Sequence, residues 1–174
     1  AVINLMGIYG MPMVENPFNW AKKLVANLHE QNIKNIFLDF HAEATSEKRI
    51  MLMMFKNQIS AICGTHTHVG TDDLQIFENT AYLTDIGLTG CRDNVIGMDS
   101  KIPIQKVTTG IGGHFEVPNS CKSILQMLVV DIDDGKASSA FKIKKYCNNS
   151  KLFITEAFID WDLNYTELIK IRIK

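Results

Sequence analysis

The regular alternation of short apolar runs with amphipathic segments in the first third of the chain restricts its fold more than any other feature. Ala1-Val2-Ile3-Asn4-Leu5, Ile36-Phe37-Leu38-Asp39-Phe40 and Ile59-Ser60-Ala61-Ile62-Cys63 each have the length and apolar content of a buried strand. Between the first two, Asn16 stands where a helix cap belongs, and Pro17 takes the first helical position, where a missing N–H is harmless. Phe18, Ala21, Leu24, Val25 and Leu28 then recur at helical spacing and predict an amphipathic helix to about Gln31. Between the second and third runs, Thr45 or Ser46 is the expected cap of another helix, with Glu47 in its first turn and Ile50, Met53 and Met54 on one face. Strand, helix, strand order requires parallel pairing through right-handed crossovers, so the fold class is α/β.

This order also places the histidines. Ligands of an α/β sheet bind in the loops beyond the carboxyl ends of its strands. His41 follows the second apolar run, and Gly64-Thr65-His66-Thr67-His68 follows the third. On an extended segment residues i and i+2 point the same way, so His66 and His68 can offer two imidazoles to one metal ion, or one each to two neighbouring ions. With His41 they make three candidate metal ligands. His29, near the end of the first helix, suits the negative end of the helix dipole without any chemistry. His114, after Gly112-Gly113, reads as a surface residue.

Beyond residue 70 the pattern changes. Gln75-Ile76-Phe77 and Ala81-Tyr82-Leu83-Thr84, joined at Glu78-Asn79, predict a hairpin leading to Asp85 and a glycine-containing loop from Thr89-Gly90 to Gly97 that can line a pocket. Phe115-Glu116-Val117 and the stretch from Leu125 to Asp133 read as strands. Asp134-Gly135 is a strong hairpin turn, and the returning segment carries Lys142, Lys144 and Lys145 as the expected solvated edge. Asn148-Asn149-Ser150 matches a glycosylation sequon without significance in a cytosolic protein. The segment from Phe158 to Lys174 fits helix or strand.

At 174 residues the chain is long enough for one domain with a real core, so 1–174 is expected to be a single domain, with 152–174 a tail of unassigned role. Eighteen basic and 19 acidic residues give a net charge of -1, which provides no global field toward nucleic acid or an acidic membrane. An anionic substrate must therefore be held by a local site. The four cysteines are widely spaced and include no C-x-x-C pair, which predicts reduced thiols and a cytoplasmic location rather than a zinc ribbon or a disulfide framework. No apolar run approaches the roughly 20 residues of a membrane span.

Three histidines at two strand ends favour metal-assisted hydrolysis. Asp39 and Glu43 flank His41, and either can orient an imidazole, although Asp39 also suits a buried, hydrogen-bonded role. Cys63, ending a buried run, reads as inert core rather than as a nucleophile.

Gly64-Thr65-His66-Thr67-His68 resembles the last block, G-x-H-x-H, of calcineurin-like metallophosphoesterases, with His41 in the place of their isolated upstream histidine. The stretches from Asp39 to Lys48, Gly64 to Val69 and Tyr82 to Gly90 together resemble the YmdB-like family more specifically, over about residues 1–135. The resemblance implies a four-layered α/β sandwich with a dinuclear iron or manganese centre that hydrolyses phosphodiesters, 2′,3′-cyclic nucleotides among them. By position, His41 and His66 would ligate one ion and His68 the other, with Thr65 and Thr67 hydrogen-bonding around a small phosphodiester substrate. Cys91 departs from the proline usual in the family.

The family's upstream aspartate, Glu-Asn pair and Gly-Asn-His block, which supply the other ligands and the proton donor, have no counterpart here. The chain is therefore expected to be the C-terminal portion of such an enzyme, with its proton donor upstream of residue 1. Its expected partners are a missing N-terminal segment or a complementary chain, and homo-oligomerisation is compatible with the sequence. A non-catalytic metal-binding or scaffold fragment and a zinc metallopeptidase are the alternatives. The latter needs further ligands and a base that are not identifiable.

Overall fold

The computed structural model describes residues 1–12, 15–147 and 150–159. The first strand, β1 (Val2–Met6), is followed by α1 (Pro17–Glu30), β2 (Phe37–His41), α2 (Thr45–Phe55) and β3 (Ala61–Thr65). The three strands pair in parallel and in order, with His41 opposite Thr65 on one side and Met6 on the other. The crossover helices lie on the same face, as successive right-handed connections moving in one direction require. There Ala21 and Val25 of α1 and Met51, Leu52 and Phe55 of α2 pack with Ile3, Leu38, Phe40 and Ile62 in one core cluster.

The hairpin expected after residue 74 is present as β4 (Gln75–Phe77) and β5 (Thr80–Leu83), and β5 joins β3 in parallel. A second, antiparallel sheet follows, made of β6 (Gly90–Cys91), β7 (Ser123–Asp133), β8 (Lys136–Tyr146) and β9 (Leu152–Glu156). Between β6 and β7 lies α3 (Lys101–Thr109), which buries none of its residues. Leu128, Val130, Ala137 and Ala140 of the second sheet pack with Ala61, Ile76, Ala81 and Leu83 of the first. The described residues thus stack as helices, mixed sheet and antiparallel sheet, with the first sheet buried on both faces.

Several expectations are corrected. Helix α2 buries Glu47, Lys48, Met51, Leu52 and Phe55, whereas Ile50 and Met53 are 46% and 41% exposed. The inward stripe begins on two charged residues, so a reading from apolar spacing alone slips to the wrong face. Neither Thr45 nor Ser46 caps α2, whose N-cap is Ala44 without a side-chain bond. Residues 115–117 are not a strand, and α3 is an additional helix. Lys142 does not guard an edge, since β8 runs between β7 and β9 and its ammonium is buried, donating to the Thr71 carbonyl at 3.0 Å. Cys91 and Cys121 form a disulfide, where the wide spacing predicts reduced thiols; Cys63 and Cys147 are free. Of the tail, β9 joins the second sheet and β10 (Phe158–Ile159) pairs with β4; residues 160–174, like Asn148 and Asn149 of the sequon, lie outside the described residues.

One buried ion pair fixes the sheet end to the helix layer. Lys48 Nζ meets Asp85 Oδ2 at 2.8 Å, with side chains 0% and 1% exposed. Asp85 also accepts from the Thr67 amide at 3.1 Å and, through Oδ1, from the Gly87 amide at 2.9 Å. Burial raises the Asp85 pKa, and the hydrogen bonds from Lys48, Gly87 and Thr67 outweigh it, so the carboxyl ends below its ordinary value. Beside it Glu47, equally buried, accepts from the Ile8 amide at 2.8 Å and the Tyr9 amide at 3.3 Å, tying down the loop after β1.

Asn16 accepts from both Phe18 and Asn19 amides at 3.0 Å, as a helix cap should. Asn16→Ala is therefore expected to cost about 1 kcal/mol in urea denaturation. Thr45→Ala and Ser46→Ala, whose side chains cap nothing, should stay within about 0.5 kcal/mol. Lys48→Met leaves Asp85 buried without its counterion and should cost about 3–5 kcal/mol. Because the folded Asp85 pKa is depressed, its contribution is complete above the unfolded carboxyl value of about 4 and fades as pH falls through the lower folded value. Acid titration of stability in the protein and in Asp85→Asn should diverge in that window.

Candidate functional site

The site lies at the carboxyl ends of β2 and β3. Asp39, two residues before His41 on the same face of β2, accepts from Asn4 Nδ2 at 2.8 Å and from Thr65 Oγ1 at 2.8 Å. Since the Thr65 hydroxyl proton goes to Asp39, that oxygen accepts from His41 Nδ1 at 3.0 Å. This relay puts the His41 proton on Nδ1 and leaves Nε2 as a lone pair. Burial, then the neighbouring His66, lowers the His41 pKa and favours the neutral ring.

His66 and His68 do not present themselves as an extended strand would. The strand stops at Thr65, and both histidines adopt positive φ, 105° and 62°, which non-glycine residues rarely do. The turn is held by Asp85, through the Thr67 amide, and by the Ile86 amide donating to the Gly64 carbonyl at 3.0 Å. Gly64 is required for lack of space rather than for flexibility: a Cβ there would lie 1.7 Å from the Thr84 carbonyl oxygen. As a result His66 turns toward His41, with Nδ1 3.1 Å from His41 Nε2 and ring centroids 4.8 Å apart. Its Nε2 lies 3.1 Å from Glu43 Oε2. His68 turns to the other side, its Nδ1 2.6 Å from the Ile96 carbonyl.

Each of the three imidazoles thus has one nitrogen against an oxygen and the other turned away from it, the arrangement by which outer hydrogen bonds orient histidine ligands. His41 Nε2 and His66 Nδ1 converge, and two such imidazole nitrogens suit a divalent transition-metal ion. Among the described residues no three His, Cys, Asp or Glu side chains gather closely enough to hold an ion by themselves. Asp39 and Asp85 both spend their oxygens on hydrogen bonds within the chain.

The other candidates sort plainly. Thr65 orients His41, while Thr67 braces its own loop, its hydroxyl 3.3 Å from the Val69 carbonyl. His29 Nε2 contacts the Gln58 carbonyl at 3.0 Å, away from the site, and His114 lies in the exposed segment after α3. Burial pushes the Cys63 thiol up to about 12, which makes it inert at neutral pH. Sequence reasoning missed Lys48 as the partner of Asp85, although both fall within the stretches that carry the family resemblance. It missed the Ile96 carbonyl as well, which no side-chain pattern encodes.

Comparison with known proteins gives the family. The chain is 41% identical over 150 residues to the 2′,3′-cyclic-nucleotide 2′-phosphodiesterase of Bacillus subtilis (strain 168), an alignment covering 86% of this chain and 56% of that protein. The chain therefore spans about half the length of this relative. A crystal structure of a hypothetical protein from Thermus thermophilus superposes with a TM-score of 0.73 at 25% identity, covering 90% of this chain and 57% of that one. That of a novel phosphatase from Mycoplasma pneumoniae gives 0.65 at 29% identity, covering 96% and 58%. Residues 1–145 match the model of the YmdB-like proteins, and the chain belongs to that family.

Proposed function

We propose that this chain contributes to a calcineurin-like, metal-dependent phosphodiesterase site that hydrolyses 2′,3′-cyclic nucleotides or related small phosphodiesters. The observation that carries the reading is the facing pair His41 Nε2 and His66 Nδ1, each ring braced on its far side by an oxygen. His41 and His66 would hold one divalent ion and His68 a second, iron or manganese as the family resemblance implies. Such ions, when bound, supply positive charge against the phosphoryl oxygens and a nucleophile near neutral pH.

The chain's own residues do the positioning. Asp39 and Thr65 keep the His41 proton on Nδ1, so that Nε2 stays available. Glu43 does the corresponding service at His66 Nε2, and the Ile96 carbonyl at His68 Nδ1. Asp85 holds the turn from which both later histidines project. A dinuclear centre needs additional oxygen ligands and a proton donor, and these are proposed to come from polypeptide other than these 174 residues, in line with the partial coverage of the relatives.

Metal analysis tests the ligand set. His66→Ala should abolish metal uptake, while His29→Ala should retain it; equal losses would reject the assignment. Thr65→Val removes only the hydroxyl that orients His41 and should weaken metal binding about 10- to 100-fold. Because His41 has a lowered pKa, it remains neutral below the ordinary histidine value of about 6.5, and metal should be released only as pH falls through that lower value. Affinity that stayed constant far into acid would argue against imidazole ligation. For the reaction itself, release of a nucleoside monophosphate from a 2′,3′-cyclic nucleotide with added manganese once the completing polypeptide is supplied, and no cleavage of a peptide panel, is the expected result. Peptide cleavage without phosphodiester turnover would overturn it.

A further inference from the structure

At His68 a cleft of about 340 Å³ opens, lined also by Leu88, Arg92, Ile96, Lys144 and Tyr146. Its volume falls within the roughly 300–1,000 Å³ typical of small-molecule sites. The Arg92 guanidinium lies over the Tyr146 ring, 4.7 Å from its centroid, and Tyr146 meets Phe153 edge-on at 5.8 Å. A guanidinium plane backed by an aromatic ring offers its outer face to another flat π system, which is how arginine and aromatic side chains take unstacked bases. Arg92 is exposed and Lys144 half-buried, while Leu88 and Ile96 add apolar surface to the lining.

The walls are held in place before any ligand arrives. The Cys91–Cys121 disulfide and the Arg92 amide donating to the Lys122 carbonyl at 3.0 Å fasten β6 and the turn at Arg92 to the segment before β7. The Lys122 amide in turn donates to Asp93 Oδ1 at 3.0 Å. Gln126 spans the base of the cleft, its Nε2 donating to the Leu88 carbonyl at 3.2 Å and its own amide to Thr89 Oγ1 at 3.1 Å. His68 lines the cleft, and Ile96, which braces it, does so too, so the cleft adjoins the histidines directly.

We propose that this cleft is the nucleoside subsite, with the heteroaromatic base stacked on the Arg92 guanidinium against Tyr146, and that it confers preference for nucleoside-bearing phosphodiesters over base-free ones. The proposal rests on the phosphodiesterase reading and adds to it the part of the substrate that does not react. His68 lines the cleft, so a ligand whose phosphate lies at the histidines can reach into it with its nucleoside. Lys144 and Arg92 would also attract a bare phosphate, and the test separates the two.

Adenosine, ribose 5-phosphate and inorganic phosphate are titrated separately into the purified protein without added metal, with binding read by NMR shift perturbation and calorimetry. Adenosine should bind and perturb the Arg92 and Tyr146 resonances more than either phosphate ligand does. Arg92→Ala and Tyr146→Leu should each weaken adenosine binding roughly tenfold or more, the scale of one lost base stack. Tyr146→Phe, which keeps the ring, should bind adenosine as the parent does and shows that the position tolerates substitution. Equal adenosine affinity in the parent and both disruptive variants would overturn the proposal, as would phosphate binding without adenosine binding. Tyr146-dependent adenosine binding, with no phosphodiesterase turnover even when manganese and the completing polypeptide are supplied, supports the cleft and overturns the reaction. Turnover of a cyclic nucleotide unaffected by Tyr146→Leu, with no adenosine binding, does the reverse.

Discussion

Lys48 and Asp85, two opposite charges removed from water, hold the histidine turn in the shape it has. Such a pair is stable only when the remaining hydrogen-bonding capacity is met, because the desolvation of each ion costs several kcal/mol. Asp85 meets it with two backbone amides, one from Thr67, between the two histidines. The positive φ of His66 and His68 is thereby held by an anchor that cannot be loosened without exposing a buried charge. Gly64 belongs to the same arrangement, since a Cβ there would lie 2.8 Å from the Lys48 side chain as well as against Thr84. Its missing side chain lets the lysine pass beneath β3 to its carboxylate.

The neighbouring Glu47 does for the loop after β1 what Asp85 does for the loop after β3. One turn of α2 therefore fastens two loops at the same sheet end, each through a buried charge accepting or donating hydrogen bonds. Apolar packing alone would hold the helix on the sheet but would not direct backbone amides. Directional bonds are what a ligand site requires, because donor atoms have to be held within a fraction of an ångström.

The three histidines differ in what supports them. His41 and its relay belong entirely to the first sheet, and His66 depends on the Asp85 turn. His68 is braced by Ile96, in a strap fastened to the second sheet by the Cys91–Cys121 link. The imidazoles of the motif therefore sit on two structural layers, although only one residue separates them in sequence. The cleft lies where those layers meet, so the orientation of His68 and the shape of the cleft depend on the same strap.

Much of the fold was legible. Apolar runs of strand length, the Asn16-Pro17 start signal, the hairpin at Glu78-Asn79 and the Asp134-Gly135 turn each act over a few residues, and the latter turn has positive φ at both residues, as a tight hairpin needs. Parallel order with His41 and His66 at one sheet end follows from them through chain connectivity. What sequence alone could not decide were interactions between distant residues. The inward face of α2 starts with Glu47 and Lys48, whose burial makes sense only once Asp85 and the Ile8 and Tyr9 amides are opposite them. Lys142 reads as an edge lysine until β9 covers its strand, and Cys91 has no evident partner until β6 and β7 bring Cys121 near. The sequence by itself determined which residue types stand at the ends of the strands, because periodicity and turn chemistry are local. Only the tertiary structure decided which way those side chains turn and what braces them, because buried charges, close backbone approaches and disulfides join residues that adjacency does not relate.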